Sequence, residues 1–132
     1  MAENTPKARP TAPHVGIYRW PVTMLTSIVH RATGVGLAAG LMMLSCWLLA
    51  LALGPDAYAK VQAFHGGFIG RVLLLGFSWA LIYHLMNGVR HLFWDAGHGF
   101  ENETAERSGK FVLIGSVVLT LAIWFLAYQA KG

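Results

Sequence analysis

Three long apolar runs dominate the pattern of hydrophobic and polar positions along the chain. They cover residues 35–53, 72–89 and 111–130, and His84 is the only side chain within them that titrates near neutral pH. Each run has 18 to 20 residues, and a helix of about 20 residues crosses a hydrocarbon core of ~30 Å. Membrane β-strands would alternate in polarity, and the helices of a soluble bundle would keep a polar face. The pattern therefore predicts three transmembrane helices.

The predicted fold is all-α, an integral membrane protein whose boundaries are set by glycine and proline. Pro21 suits the first turn of a helix, because its missing N–H would have no partner there. Gly54-Pro55 ends that helix, and the outer loop that follows has room for a short amphipathic turn over 57–66. The predicted segments are an N-terminal arm (1–21), a first transmembrane helix (22–53), an outer loop (54–67), a second helix (68–94), a cytoplasmic loop (95–109) and a third helix (110–130).

The basic residues are better explained as topology signals than as a nucleic-acid surface. The chain is 12% charged with a formal net charge of +4, whereas soluble domains carry roughly 25% charged residues. Lys and Arg do not cluster with interleaved aromatics, so no nucleic-acid partner is predicted. They stand mainly before the first span and between the second and third, and loops rich in them stay cytoplasmic. They are Lys7, Arg9, Arg19, Arg31, Arg90, Arg107 and Lys110, against Lys60, Arg71 and Lys131 on the other side.

This distribution predicts a cytoplasmic N-terminus and second loop, and a periplasmic C-terminus. The polar N-terminus lacks the apolar core of a signal peptide. We therefore expect the inner membrane of a bacterium rather than an imported mitochondrial protein, although a mature mitochondrial chain would look similar.

Small residues lie inside the first span. Gly36 and Gly40 form a small-xxx-small pair, which permits close approach of a neighbouring helix or of a flat ligand. Cys46 is the only cysteine, so an internal disulfide and a thiolate metal cluster are both excluded.

The second predicted helix carries a stripe of polar positions towards its end. Counted from His84, Gly88, His91 and Asp95 follow at four, seven and eleven positions. This spacing places all four on one face of a helix with about 3.6 residues per turn. Ionisable groups at membrane depth indicate a functional site, and a glycine lets a flat ligand approach the backbone. We predict that this stripe faces a buried cofactor.

The first predicted helix brings a second polar group to the same end of the membrane. Ser27 and Arg31 are four positions apart and share a face. A hydroxyl beside a guanidinium can donate to an oxygen of a planar carbonyl ligand and stabilise negative charge that develops there during reduction. Two alternatives stay open: Arg31 can be a snorkelling anchor, and Ser27 can bond to its own helix backbone.

His84 is the candidate metal ligand, because neutral imidazole binds haem iron. The alternative is a simple hydrogen bond to another helix. His91 is predicted to lie about 10 Å shallower than His84, and His30 is predicted to be too shallow to lie opposite it. The third predicted helix has no histidine. If the cofactor is a bis-histidine haem, the second axial ligand is therefore expected from another subunit, with His30, Arg31 and His91 near the haem propionates.

Two motifs at these positions resemble those of a known family. They comprise Arg9-Pro10, Ile17-Tyr18-Arg19 and Ser27-x-x-His30-Arg31-x-Thr33, followed by His84-x-x-x-Gly88-Val89-Arg90-His91-x-x-Trp94-Asp95-x-Gly97. In order, spacing and position against the three spans, the chain resembles the cytochrome b556 subunits of succinate dehydrogenase. These are the larger of two membrane anchors in respiratory complex II.

The resemblance implies a role for each matching residue. The matches are His84 for the axial ligand of haem b, Ser27 and Arg31 for the ubiquinone site, His30 and His91 for the vicinity of the haem propionates, and Asp95 for the acidic residue that closes the second motif. The implied partners are a second small membrane anchor that supplies the other haem ligand, an iron–sulfur subunit, a flavoprotein subunit and membrane lipid.

The predicted function is that of a membrane-anchor and electron-transfer subunit of succinate:ubiquinone oxidoreductase. The chain alone is not expected to be an enzyme, since it has no flavin-binding motif and no cysteine cluster for iron–sulfur centres. The alternatives are a quinol:fumarate reductase anchor, which runs the same chemistry in reverse, and a haem-free structural anchor. Transport is disfavoured because the charged residues gather at one end and no polar path crosses the membrane.

Overall fold

The computed structural model describes residues 19–131, and every regular element in that range is an α-helix. The helices are α1 (Val22–Leu53), α2 (Pro55–Gly66), α3 (Phe68–Asp95) and α4 (Asn102–Lys131). Three of them, α1, α3 and α4, are long and apolar enough to cross a membrane. The prediction of an all-α protein with three membrane-length helices is therefore confirmed. Most of the predicted N-terminal arm, with the motif residues Arg9, Pro10, Ile17 and Tyr18, lies outside the described residues.

A short helix occupies most of the segment predicted as an outer loop. α2 has 12 residues and starts directly after Gly54, whose φ of 112° is strained for any residue with a Cβ. Pro55 follows in the first turn, where a missing N–H costs no hydrogen bond. A sharp reversal and a pre-set helical residue together let α2 begin as soon as α1 has ended.

α4 begins at Asn102, well before the predicted start near residue 110. The added turns are polar, so apolar periodicity did not reveal them. Two ion pairs between residues four apart stabilise them. These are Arg107–Glu103, with Nη2 and Oε1 2.6 Å apart, and Lys110–Glu106, with Nζ and Oε1 2.9 Å apart. The predicted cytoplasmic loop (95–109) is thereby reduced to a short turn.

A Schellman turn closes α3. The His98 N–H donates to the Phe93 carbonyl at 3.0 Å and the Gly97 N–H to the Trp94 carbonyl at 2.8 Å, the pair of bonds that defines this motif. Gly97 has a φ of 84°, which suits glycine at that position. The Trp94 indole Nε1 donates to the Gly99 carbonyl at 3.0 Å, so the turn is fixed to α3 before α4 begins.

Glycines on α1 set its closest contact with α3. A Cβ on Gly36 would lie 3.8 Å from the Cβ of Ala80, and a Cβ on Gly40 would overlap the ring of Phe77. The small-xxx-small pair therefore serves helix–helix contact in this structure, which decides between the two uses that the sequence left open.

The outward faces of the long helices are apolar and exposed. Val35, Leu81 and Ile114 represent a larger set of exposed aliphatic and aromatic side chains on α1, α3 and α4. Continuous apolar surface of this extent is unsuited to water. These faces are available to lipid or to another membrane subunit.

We predict that Gly40→Ala weakens the packing of α1 against α3. The new methyl group would displace the Phe77 ring, and overpacking of this kind costs about 1–3 kcal/mol. The midpoint of thermal unfolding in detergent should fall. Gly76→Ala is the matched control, because its Cβ position has no neighbour within 4 Å in the described part of the chain other than the adjoining residues and the local backbone of α3. An unchanged midpoint in Gly40→Ala would contradict the close contact.

Candidate functional site

Three imidazoles meet between α1 and α3. The rings of His30 and His84 are stacked, with centroids 3.8 Å apart and an interplanar angle of 13°. His91 lies beside His30, with centroids 5.6 Å apart and an angle of 40°. His30, His84 and His91 are called the imidazole cluster below. It joins histidines from the two polar groups that the sequence placed at one end of the bundle.

His30 lies at the level of His84, so the prediction that it is too shallow was wrong. His30 is eight residues beyond the start of α1 at Val22, and His84 is eleven residues before the end of α3 at Asp95. At ~1.5 Å per residue these depths differ by only about 4–5 Å, a gap that the side chains close. Two nearly parallel rings 3.8 Å apart leave no space for an iron atom between them. This arrangement therefore does not place His30 across an iron from His84.

α1 provides the surface against which the His84 ring lies. Thr33 Oγ1 is 3.3 Å from His84 Nδ1, and the Thr33 hydroxyl donates to the His30 carbonyl at 2.9 Å. A Cβ on Gly34 would lie 3.3 Å from His84 Cε1, so glycine leaves the ring the room it needs. One turn further along α3, no atom of the described residues, apart from the adjoining residues and the local backbone of α3, lies within 4 Å of the position a Cβ would take on Gly88. The ring is held on one side, and α3 is open next to it.

His30 carries a buried polar atom that the described residues do not satisfy. Its Nδ1 has no hydrogen-bond partner among them, and buried polar atoms are rarely left without one. His91 is fixed differently, by an edge-on contact with Trp94 at a centroid distance of 4.9 Å and an angle of 83°. The unsatisfied nitrogen marks a place where a ligand or another chain would complete the site.

Ser27, Arg31 and Asp95 make no side-chain hydrogen bond or ion pair within residues 19–131. Ser27 is half-buried, and Arg31 and Asp95 are exposed. The alternative of Ser27 bonded to its own helix backbone is not seen there, although the neighbouring Thr26 bonds in this way to the Thr23 carbonyl at 2.9 Å. Within the described residues, the Ser27 hydroxyl and the Arg31 guanidinium are available to a ligand.

Arg90, next to the cluster in sequence, is buried and connects α3 to α4. The residue is only 6% exposed. Its Nε donates to Ser108 Oγ at 2.9 Å, and its Nη2 donates to the Ala105 carbonyl at 2.7 Å. Its Cζ lies 4.1 Å from the ring centroid of Trp94, a cation–π contact. The polar first turns of α4 are thus where Arg90 finds acceptors.

The same guanidinium also reaches α1. Its Nη1 donates to Thr26 Oγ1 at 3.2 Å and to Asn87 Oδ1 at 3.3 Å. The hydroxyl of Tyr83, which is fully buried, donates to the Thr26 carbonyl at 2.8 Å. The side chains of Thr26, Tyr83, Asn87, Arg90 and Ser108 are called the Arg90 network below. Together they join the three long helices around one cation.

Sequence reasoning missed the Arg90 network and took Arg90 for a topology signal. A signal was present, because Tyr83, Asn87 and Arg90 repeat at intervals of four and three within an apolar run. Such spacing marks one face of a helix. This second stripe runs beside the first, one residue earlier along α3, and only the first was interpreted.

Fold and site together define an integral membrane subunit with three long helices and a polar, histidine-containing end. Over residues 5–123 the chain matches the model of a family described as succinate dehydrogenase/fumarate reductase transmembrane subunit. The chain belongs to this family.

Curated relatives cover most of the chain. It is 42% identical over 129 residues to the succinate dehydrogenase cytochrome b556 subunit of Paracoccus denitrificans, covering 96% of this chain and 99% of the relative. It is 39% identical over 116 residues to the subunit of the same name in Rickettsia felis, covering 88% and 90%. The mitochondrial succinate dehydrogenase cytochrome b560 subunit of Sus scrofa is 35% identical over 125 residues, covering 92% and 73%. The family predicted from the two motifs is confirmed.

We predict that Arg90→Lys lowers the thermal stability of the protein in detergent. A lysine ammonium is a point charge without the planar fork of arginine, so it cannot serve acceptors on α1 and α4 together. Each buried acceptor that loses its partner costs about 1–3 kcal/mol.

Arg107→Lys is the matched control for this variant. The Arg107 side chain is 78% exposed and is paired with Glu103 one turn away, so its replacement should change stability by less than about 0.5 kcal/mol. Equal effects of the two substitutions would contradict a structural role for Arg90.

Proposed function

We propose that the chain is the membrane-anchor and electron-transfer subunit of a succinate:ubiquinone oxidoreductase, in which it binds haem b through His84 and forms part of the ubiquinone-reduction site. The observation that carries the proposal is the imidazole cluster beside the open face of α3, in a chain of this family. The relatives from Paracoccus denitrificans and Sus scrofa are named as cytochrome b subunits, a name that denotes haem proteins.

The surroundings of His84 fit a haem. A porphyrin is flat and needs an open wall beside its ligand, and Gly88 leaves such a wall on α3. The buried Nδ1 of His30 needs a polar partner, and a propionate carboxylate is one that a haem would bring. Bound at this position, haem would supply one-electron transfer. His30, Arg31 and His91 are the residues proposed to hold the propionates.

A second protein is needed to complete this site. His30 is stacked on His84 rather than opposite it, and large apolar faces of α1 and α3 remain exposed. We assign the second axial ligand to a second small membrane anchor that covers part of these faces. An iron–sulfur subunit and a flavoprotein subunit are proposed to dock at the histidine end of the bundle and to deliver electrons from succinate.

Ser27 and Arg31 are proposed to bind ubiquinone near the haem. They flank His30 on α1 and have no competing partner within the described residues. The Ser27 hydroxyl would donate to a quinone carbonyl oxygen. Arg31 would add a charged hydrogen bond that strengthens as negative charge develops on that oxygen. Ubiquinone takes up two electrons and two protons and leaves as ubiquinol, while succinate is oxidised in other subunits. Asp95, exposed at the end of α3, stays a possible member of this site.

The histidine end is proposed to face the cytoplasm of a bacterium, with the C-terminus in the periplasm. Arg90 is buried and no longer counts as a topology signal. In the sequence, the other basic residues before the first apolar run and between the second and third still outnumber the remaining ones, and basic loops stay cytoplasmic. They are Lys7, Arg9, Arg19, Arg31, Arg107 and Lys110, against Lys60, Arg71 and Lys131. The bacterial sources of the Paracoccus and Rickettsia relatives support an inner-membrane location.

The second candidate is an anchor of quinol:fumarate reductase, because the description of the matching family covers both directions of the reaction. Midpoint potentials of the haem and of the bound quinone in the purified complex separate the two. A low-potential quinone that reduces fumarate efficiently would favour the second candidate.

We predict that His84→Ala abolishes or strongly reduces haem binding, measured as the b-type band in a reduced-minus-oxidised spectrum of the purified complex. The His30 ring lies 3.8 Å from that of His84 and is close enough to replace a missing ligand. The double variant His30→Ala/His84→Ala is therefore measured alongside, and it should lack the band.

His65→Ala is the control for this experiment, because His65 lies on α2, away from the cluster, and its removal should leave the band unchanged. A b-type band of full intensity in the double variant would refute His84 as a ligand. A wild-type complex with no such band would favour the haem-free structural anchor.

We predict that Arg31→Ala lowers ubiquinone reduction by about 10- to 100-fold, the loss expected for one hydrogen bond from a charged donor. Ser27→Ala should lower it by about 2- to 10-fold, as for a neutral hydrogen bond. Succinate oxidation with a soluble electron acceptor should persist in both variants, because that reaction does not need the quinone.

The matched controls lie elsewhere in the bundle. Ser45 is an exposed serine of α1 bonded to the Leu41 carbonyl at 2.8 Å, and Arg71 is an exposed arginine near the start of α3. Ser45→Ala and Arg71→Ala should leave quinone reduction unchanged. Equal loss of quinone and soluble-acceptor activity in Arg31→Ala would indicate failed assembly and would contradict the proposed site.

A further inference from the structure

We infer that Thr33 is a positioning residue for the haem ligand: its hydroxyl fixes which nitrogen of His84 carries the proton and how the ring is turned. The inference rests on the proposed role of His84. Thr33 belongs to the first sequence motif, but the resemblance assigns it no role. Thr33 is 4% exposed, so water does not compete for its hydroxyl.

The direction of the hydrogen bonds follows from the two neighbours of the Thr33 hydroxyl. Its Oγ1 lies 2.9 Å from the His30 carbonyl and 3.3 Å from His84 Nδ1. A carbonyl oxygen can only accept, so the single O–H of Thr33 is used to donate to the His30 carbonyl. Towards His84 the hydroxyl can then only accept. The bond is closed only if His84 Nδ1 carries a proton.

A proton on Nδ1 leaves Nε2 of neutral imidazole with its lone pair. Nε2 of His84 makes no hydrogen bond within the described residues. A metal ion binds the unprotonated nitrogen, and the bond made by the other nitrogen selects which one that is. Thr33 thereby prepares His84 to ligate iron before any haem is bound.

Two contacts restrain rotation of the ring. Thr33 holds Nδ1, and the His30 ring covers one face, while the absence of a side chain on Gly34 leaves space beside Cε1. Of these, only the Thr33 contact distinguishes the two ends of the ring chemically. Loss of the hydroxyl would free His84 to turn and to exchange the proton between its nitrogens.

The chain of hydrogen bonds also changes the ligand electronically. An imidazole whose N–H donates a hydrogen bond becomes more basic at its other nitrogen. Here the acceptor is the Thr33 hydroxyl, which is itself polarised by its hydrogen bond to the His30 carbonyl. A more basic imidazole favours ferric over ferrous iron. Thr33 is therefore expected to lower the midpoint potential of the haem and to slow its loss.

The test compares Thr33→Val, which is isosteric and lacks the hydroxyl, with Thr33→Ser, which keeps it, in the complete purified complex. In Thr33→Val the midpoint potential should rise, and haem should transfer to an excess of apo-globin about 10- to 100-fold faster, the usual effect of losing such a partner. The histidine ring mode sensitive to a hydrogen bond at Nδ1–H should shift in the redox-difference infrared spectrum. Thr33→Ser should match the wild type in all three.

Thr120→Val is the matched control. Thr120 is 2% exposed and donates to the Ser116 carbonyl at 2.7 Å, so it shares the burial and the backbone bond of Thr33 without a histidine. All three readouts should stay at wild-type values. Thr33→Ala is prepared as a second hydroxyl-free variant in case valine prevents assembly, and it should show the same shifts as Thr33→Val.

An unchanged potential and rate of haem loss in Thr33→Val would overturn the inference, and so would equal shifts in Thr33→Val and Thr33→Ser. Failure of both hydroxyl-free variants to assemble would assign Thr33 a structural role instead. These results are distinct from failure of the proposed function. If His30→Ala/His84→Ala lacks haem while Thr33→Val behaves as wild type, only the role of Thr33 is lost.

Discussion

The rest of this structure depends on one buried cation, Arg90, with which no carboxylate of residues 19–131 pairs. Helices in lipid gain little from apolar contact with one another, because lipid tails are as apolar as leucine. A guanidinium at that depth must find all its acceptors in protein. Arg90 finds them on α1, α3 and α4, and this requirement fixes the three long helices relative to one another. The imidazole cluster lies between α1 and α3, so its geometry depends on how these helices are positioned.

α3 carries two polar stripes, one that binds the neighbouring helices and one that contributes to the imidazole cluster. Tyr83, Asn87 and Arg90 fasten the helix to its neighbours, whereas His84 and His91, each one position further on, reach the histidine of α1. One residue along a helix is a step of ~1.5 Å. Each of these histidines therefore lies directly beside a residue of the Arg90 network, so a shift of α3 would move the imidazole cluster and the network together.

Features that repeat along one helix could be predicted from the sequence, whereas contacts between different helices could not. Three spans follow from runs of apolar residues, and the polar stripe of α3 follows from its spacing. The contact of His30 with His84 depends on how two helix ends align and on side-chain reach, which spacing along one helix does not contain. Arg90 reads as a loop cation until its acceptors on α4 are known. The first turns of α4 resemble a loop in the sequence because they are polar, and their bonds to Arg90 become visible only in the structure. Binding of haem and ubiquinone stays a prediction from the motifs.

The chemical nature of the acceptors around Arg90 determines how the bundle responds to pH. Within residues 19–131 they are hydroxyls, a side-chain amide and a backbone carbonyl, and none of these groups gains or loses a proton at physiological acidity. A frame tied by carboxylates would loosen whenever one of them became protonated. The Arg90 network therefore does not respond to local pH, and proton uptake at the proposed quinone site would leave the three long helices in place.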